Sequence, residues 1–330
     1  LPELSVAVVG CGGAGNVHLG CWTNVSAARI AAICDRNGSA VSATALQYPG
    51  AAAFTDLDAM LQAGPFDVLD VCVTPDEQAA VARAGLLAGA HVLCEKPVGT
   101  DASEAGALAA LAASRERLLM PAFCHRFHPP TLLAAELLQN DELGAPRMFR
   151  FRLSGLFAGV EATWLSDRAV SGGGALIDTA IHGIDLFRAL IGEPAVVSGR
   201  LSTVRADLSV EDTAALLLQT SGGAIGVVEA GWSSPGGRNV IEIYGTAGAC
   251  IVDYDDGTAR FLTADRPVWR RADESGPNRF ERMIFHFADA IRGLQPLMVD
   301  GEDAVRAHEI CAEVYRQNGP DSNPPGDQPG

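Results

Sequence analysis

"SVAVVGCGGAGNVH", residues 5–18, decides how this chain is read. A β-branched run stops at Gly10, and Gly10, Gly12 and Gly15 then follow the spacing G-x-G-x-x-G ahead of a stretch with helical texture. In that position the first glycine permits a tight turn, the second lets backbone approach a pyrophosphate, and the third lets helix pack closely on strand. The helix start adds unpaired N–H groups and a partial positive charge that suit an anion. Glycine turns are common, so the motif alone also fits a purely structural loop. The next apolar run, "RIAAICD" (residues 29–35), separates the two readings. It ends at Asp35, twenty residues beyond Gly15, where an acidic side chain meets the ribose hydroxyls of an adenosine. Together the two runs point to a dinucleotide site comprising Gly10, Gly12, Gly13, Ala14, Gly15, Asp35 and Arg36. Asp35 favours NAD, because a carboxylate repels a 2′-phosphate. Arg36 keeps NADP open, since it could stack on adenine or neutralise that phosphate.

Outward from this loop, short β-branched runs (6–9, 29–34, 68–73, 91–94, 118–121) alternate with alanine- and leucine-rich helical stretches (39–47, 76–88, 102–114). That rhythm predicts a parallel sheet with helices on both faces, and Asp76 and Asp101 are suited to cap two of the helices. After Phe123 the texture changes. A helix over 131–138 leads into long alternating runs joined by glycine turns, from "RMFRFRLSG" to "ARFLTA", which predict a large open, mostly antiparallel sheet. Helices about 279–292 and 303–317 close the fold. The expected organisation is an α/β dinucleotide-binding domain over 1–122, an α+β domain over 123–316, and a disordered tail over 317–330 that lacks apolar residues.

Bulk properties exclude several classes. The net charge of −16 argues against nucleic acid or an anionic membrane as partner, and no apolar stretch approaches the roughly 20 residues of a membrane span. The eight cysteines form no C-x-x-C pair, and several lie inside apolar runs. Reduced, structural thiols in a cytoplasmic compartment are expected. An apolar run already opens at residue 5, so no signal peptide precedes the fold as given, while a chain starting at Leu1 leaves upstream sequence open.

A second signal lies in "AGAHVLCEKPVG" (88–99) and "SGGGALIDTAIHGIDLFRAL" (171–190). The first ends an apolar strand with Glu95, Lys96 and Pro97. The second reads as a helix with Asp178 and His182 one turn apart on one face, and Asp185 close by. An isolated D-x-x-x-H fits a solvated polar stripe, or a histidine held by a structural carboxylate. The glycines ahead of it also let a helix start approach another element or a ligand closely.

These stretches, with "VTP" at 73–75 and "VEDTAALLLQTSGGAIGVVEAGW" downstream, resemble the glucose-fructose oxidoreductase/inositol dehydrogenase/MocA family over roughly residues 4–317. The resemblance implies an amino-terminal Rossmann domain and a carboxy-terminal open-sheet domain with an oligomer interface, as homodimer or homotetramer. It brings Thr74, Pro75, Glu95 and Lys96 into the cofactor site and implies a cis Lys96–Pro97 peptide. It assigns Lys96 to the nicotinamide ribose and the reacting hydroxyl, Asp178 to holding substrate, and His182 to proton transfer. Arg126 matches an arginine near the substrate, and Trp164, His125 and His128 fit either pocket or packing. A histidine usual in the family is replaced here by Ala79.

The chemistry agrees. Oxidising a secondary alcohol requires a hydride acceptor, a base, and stabilisation of the forming alkoxide. Imidazole accepts a proton near neutral pH, and an ammonium stabilises developing charge in a dry site. No metal is called for and no ligand constellation is legible. The expected activity is NAD(P)-dependent hydride transfer between nicotinamide and a secondary hydroxyl or keto group of a sugar, inositol or related polyol. The alternatives are a glycoside hydrolase using transient oxidation by bound NAD, and a non-catalytic cofactor or sugar sensor.

Overall fold

The computed structural model describes residues 2–273 and 275–319. In chain order the first elements are β1 (Leu4–Val9), α1 (Gly13–Trp22), β2 (Ala28–Cys34), α2 (Gly38–Gln47), β3 (Ala52–Phe54), α3 (Leu57–Gln62), β4 (Val68–Val71), α4 (Pro75–Leu87), β5 (His91–Cys94), α5 (Ala102–Ser114) and β6 (Leu119–Pro121). The six strands form a parallel sheet in the order β3-β2-β1-β4-β5-β6. Its central strands are buried on both faces, which explains their nearly unbroken apolar sequence. The order reverses between β1 and β4, and ligands of doubly wound sheets bind beyond the carboxyl ends of strands at such a switch.

The remaining elements are α6 (Pro129–Gln139), β7 (Pro146–Ser154), α7 (Arg168–Ser171), α8 (Ile181–Leu190), β8 (Pro194–Ser202), β9 (Thr213–Thr220), β10 (Ile225–Gly231), β11 (Asn239–Gly245), β12 (Gly248–Asp253), β13 (Thr258–Thr263), β14 (Arg266–Asp273), α9 (Arg279–Ile291) and α10 (Gly301–Gln317). The eight strands order as β14-β13-β12-β11-β7-β10-β9-β8, antiparallel throughout except for the parallel pair β7–β10. One face carries α8: Gly183 and Gly226 approach the rings of Phe151 and Phe187 so closely that a Cβ would collide with them. The other face keeps Met148, Leu217 and Val196 exposed.

Compactness groups the chain up to His128 with Gly276–Arg306, and Pro129–Ser275 with the chain from Ala307 on. A division near residue 122 does not anticipate this return, in which α9 and the start of α10 join the first unit. Other departures have local causes. β3 and α3 escape a sequence reading because three and six residues carry too little periodicity, and β14 is an arginine-rich, largely exposed edge strand. Asp76 does not cap α4: Thr74 is the N-cap residue, Pro75 opens the helix, and the Thr74 hydroxyl donates to Asp76 Oδ1 at 2.6 Å. Asp101 does cap α5. Gln317 and Asn318, expected in a disordered tail, dock by their side chains on β8. Residues 320–330 of that tail lie outside the described residues. All eight cysteines are free thiols. Among the described residues no helix is long and apolar enough to cross a membrane.

Candidate active site

In the first unit the glycine loop leaves β1 directly against the end of β4. Gly10 has φ +105°, and a Cβ there would lie 2.3 Å from the Cys72 carbonyl oxygen. A Cβ on Gly15 would lie 1.8 Å from the Gly10 carbonyl oxygen. Gly12 caps α1 with extended backbone and no side-chain cap, and Gly12, Gly13 and Ala14 are exposed. The first N–H groups of α1 therefore face outward from a cradle that only glycine permits, which fits a pyrophosphate. Asp35, partly exposed at the end of β2, accepts from the backbone N–H of Cys11 (2.7 Å) and of Asn37 (2.8 Å). Its carboxylate thus ties β2 to the loop. Arg36 is engaged by Glu77 on α4 in a mostly exposed ion pair.

The E-K-P turn is built mainly from backbone. Glu95 N–H continues the sheet by donating to the Val71 carbonyl, and the Lys96–Pro97 peptide is cis. Gln78, nearly fully buried on α4, clamps the turn. Its Oε1 accepts from Val98 N–H (3.0 Å) and Gly99 N–H (2.8 Å), and its Nε2 donates to the carbonyls of Val73 and Lys96 at 3.3 Å. Sequence reasoning missed Gln78, although a lone glutamine on the buried, otherwise apolar face of α4 is the signal it leaves.

Behind Glu95 lies a second unanticipated group. His18 on α1 is fully buried, with Nδ1 3.0 Å from each Asp70 oxygen and Nε2 3.2 Å from Glu95 Oε1. Trp22 Nε1 donates to Asp70 Oδ2 at 2.8 Å, and the Cys72 thiol to Asp70 Oδ1 at 3.4 Å. Burial is the largest single influence and opposes a charge on His18, but Asp70 and Cys72, through charge and hydrogen bonding together, raise the imidazole well above its usual pKa. The ligand atoms of His18, Asp70 and Cys72 lie within 4.8 Å of one another, a grouping that could hold a metal ion and that their sequence positions do not reveal. The hydrogen bonds among them account for the cluster as it stands.

Arg126 and its neighbours also belong to the first unit. The guanidinium expected to face substrate is buried, ion-paired with Asp303 at 2.9 Å, and donates to the Met298 carbonyl at 2.8 Å. His125 and His128 are buried beside it in sequence.

In the second unit two of the three glycines before the D-x-x-x-H segment do approach another element. A Cβ on Gly173 would lie 1.9 Å from Tyr315 Oη, and one on Gly174 would lie 1.9 Å from the Glu211 carbonyl oxygen. Buried Glu211 organises the entry: its Oε1 accepts from Gly174 N–H (2.9 Å), Leu176 N–H (3.2 Å) and the Tyr315 hydroxyl (2.8 Å). The chain then makes one π-helical turn, Leu176–Ala180, before α8, where an uninterrupted α-helix is expected from the apolar spacing. Single π turns concentrate at functional sites. Asp178 lies in that turn, half-buried, and His182 in the first turn of α8, buried. Thr179 donates to Asp178 Oδ2 at 3.0 Å, and Trp232 Nε1 donates to Thr179 Oγ1 at 2.9 Å. Trp164 sits in a short 3-10 turn, 42% exposed. Lys96 thus belongs to one unit, and Asp178, His182 and Trp164 to the other.

A reversing parallel sheet with a glycine cradle and an acid ending β2 defines a dinucleotide-binding protein. Residues 4–123 match the family described as "Oxidoreductase family, NAD-binding Rossmann fold", and residues 131–251 match the "GFO/IDH/MocA C-terminal domain". The chain belongs to the Gfo/Idh/MocA family of NAD-binding oxidoreductases. It is 27% identical over 259 residues to D-apiose dehydrogenase of Rhizobium rhizogenes, covering 75% of this chain and 73% of that protein. It is 29% identical over 321 residues to the rhizopine catabolism protein MocA of Rhizobium meliloti, covering 94% of each. Levoglucosan dehydrogenase in complex with NADH and levoglucosan shares the fold, with a TM-score of 0.89 at 22% identity over 95% of this chain and 96% of that one.

Proposed function

We propose that this chain catalyses reversible hydride transfer between NAD and a secondary hydroxyl of a polyhydroxylated ring, a sugar, inositol or related polyol. The observation that carries the reading is the glycine-tethered π turn that holds Asp178 directly ahead of the helix turn carrying His182, with a braced Lys96 turn earlier in the chain. Bound nicotinamide supplies the hydride acceptor or donor. Lys96 contacts the reacting oxygen and stabilises its developing negative charge. His182 takes the hydroxyl proton on oxidation and returns it on reduction. The Asp178 carboxylate, which as an ion only accepts hydrogen bonds, orients the ring through its hydroxyls. Relatives named as dehydrogenases of D-apiose, levoglucosan and inositol support a ring with several hydroxyls. Engagement of Arg36 by Glu77 supports NAD over NADP. The exposed apolar residues on the open face of the eight-stranded sheet support a homodimer or homotetramer built there.

Purified protein with NAD or NADP, tested against inositols, pentoses, hexoses and anhydrosugars, should give steady NADH formation with one polyol class. Lys96→Ala and His182→Ala should each lower kcat by about 100- to 10,000-fold while NAD still binds. Near-normal turnover in either variant overturns the assignment. Glycoside cleavage without NADH accumulation would move the reading to hydrolysis.

A further inference from the structure

The chain of donors behind Asp178 has a direction. Trp232, fully buried just beyond β10, has one polar hydrogen, on Nε1, and gives it to Thr179 Oγ1 at 2.9 Å. A hydroxyl that receives that bond turns its own single proton elsewhere, and Asp178 Oδ2 stands 3.0 Å away. An indole donates only, so it cannot take the hydroxyl's proton and free Thr179 to accept from Asp178 instead. The three groups therefore settle the hydroxyl rotor in one sense, toward an ionised carboxylate. Thr179 is 3% exposed, so no bulk water competes for its proton.

Trp232 is itself held from two sides. Its backbone N–H donates to the Asp212 carbonyl and its carbonyl accepts from Phe157 N–H, both at 2.8 Å, and its ring stacks on Phe157 with centroids 6.2 Å apart. Trp232 is fixed by the residue that precedes β9 and by the loop after β7, and lies 53 residues from Thr179 in sequence. A rigid indole thus sets a hydroxyl, and the hydroxyl sets a carboxylate on the π turn. Asp178 is the one member that faces partly outward.

We propose that Thr179, oriented by Trp232, is the positioning residue for Asp178, fixing the direction in which that carboxylate meets the substrate's hydroxyls. The inference rests on the substrate role given to Asp178 above. It concerns neither hydride nor proton transfer, so its signature is a change in KM for the polyol with kcat and NAD affinity largely kept.

The test compares Thr179→Val, Thr179→Ser, Trp232→Phe and Asp178→Asn with the wild type. Kinetics use whichever of inositol, levoglucosan and D-apiose turns over fastest. Thr179→Val should raise KM by about 10- to 100-fold, the usual worth of a hydrogen bond to a charged group, without changing the Kd for NAD. Thr179→Ser restores the hydroxyl and should return KM to within about threefold of wild type. Trp232→Phe frees the hydroxyl rotor and should fall between them. The indole N–H resonance of Trp232, assigned by its loss in Trp232→Phe, gives a readout independent of substrate. It should move in Thr179→Val, stay in Thr179→Ser, and also move in Asp178→Asn, where the hydroxyl loses its charged acceptor. Unchanged KM in Thr179→Val, an unrescued Thr179→Ser, or an indole resonance indifferent to Asp178→Asn overturns the proposal. If Asp178→Asn leaves KM and kcat untouched, the substrate role of Asp178 falls. If Asp178→Asn is impaired and Thr179→Val is not, only the positioning role falls.

Discussion

The Lys96 turn and the Asp178 turn solve one problem in opposite ways. In the first unit Lys96 stands on backbone whose own N–H and C=O groups are gripped, by Gln78 on one side and the carboxyl end of β4 on the other. In the second unit the backbone runs in helix, and side chains do the aiming: Glu211 and Tyr315 at the entry, Thr179 and Trp232 in the turn. A site held through backbone fails when a Cβ intrudes or a clamp is removed. One held through side chains fails by losing a single polar atom while its backbone stays put.

Gly15→Ala should have the largest effect. Its Cβ meets a backbone oxygen that no side-chain rotation relieves, so overpacking of about 1–3 kcal/mol should lower Tm and weaken NAD binding roughly 10- to 100-fold. Gly12→Ala sharpens the point. Nothing lies within 4 Å of its Cβ, so melting should fall only by the roughly 0.5 kcal/mol that alanine costs at an N-cap, while the NAD titration suffers. Equal Tm losses in both would break the idea that the loop is specified by two contacts with its own scaffold. Next comes Gln78→Ala. It strips the acceptor from Val98 N–H and Gly99 N–H, and leaving buried donors unpaired costs about 1–3 kcal/mol. A Tm fall of roughly 2–10 °C is expected for a unit of this size, with kcat reduced through the Lys96 turn. An unchanged melt would show that the turn holds itself.

The smallest effect expected is a pH dependence from His18. Its folded-state pKa is raised, because Asp70 and Cys72 together outweigh burial. Its contribution to stability is therefore complete below the ordinary imidazole range near pH 6.5 and is lost as pH rises through the higher folded value. Melting temperature should decline from neutral into alkaline pH, and Asp70→Asn should flatten that slope. A slope that survives in Asp70→Asn places its origin outside this pair.

What was legible in the sequence follows the same division. Gly10, Gly12, Gly15 and Asp35 could be read because a backbone turn is a local event whose residues adjoin one another. The cis Lys96–Pro97 peptide, by contrast, was expected from the family resemblance and met in the structure. The spacing of Asp178 and His182 could be read too, but the π turn could not, since the sequence writes α and π windings with the same apolar pattern. Arg126 could be singled out from the sequence, but its ion pair with Asp303, 177 positions on in the chain, could not.

The sequence by itself determined the parallel sheet and its glycine cradle, the open second sheet, and the spacing of Asp178 and His182. Each is written in short-range periodicity or in residues that adopt special backbone geometry. Only the tertiary structure decided what holds those groups in place. His18 meets Asp70 across 52 residues, Trp232 meets Thr179 across 53, and Tyr315 meets Glu211 across 104. Hydrogen bonds over such separations exist only after packing has brought the strands together, because a single buried donor finds its acceptor by position in the fold and leaves no pattern along the chain.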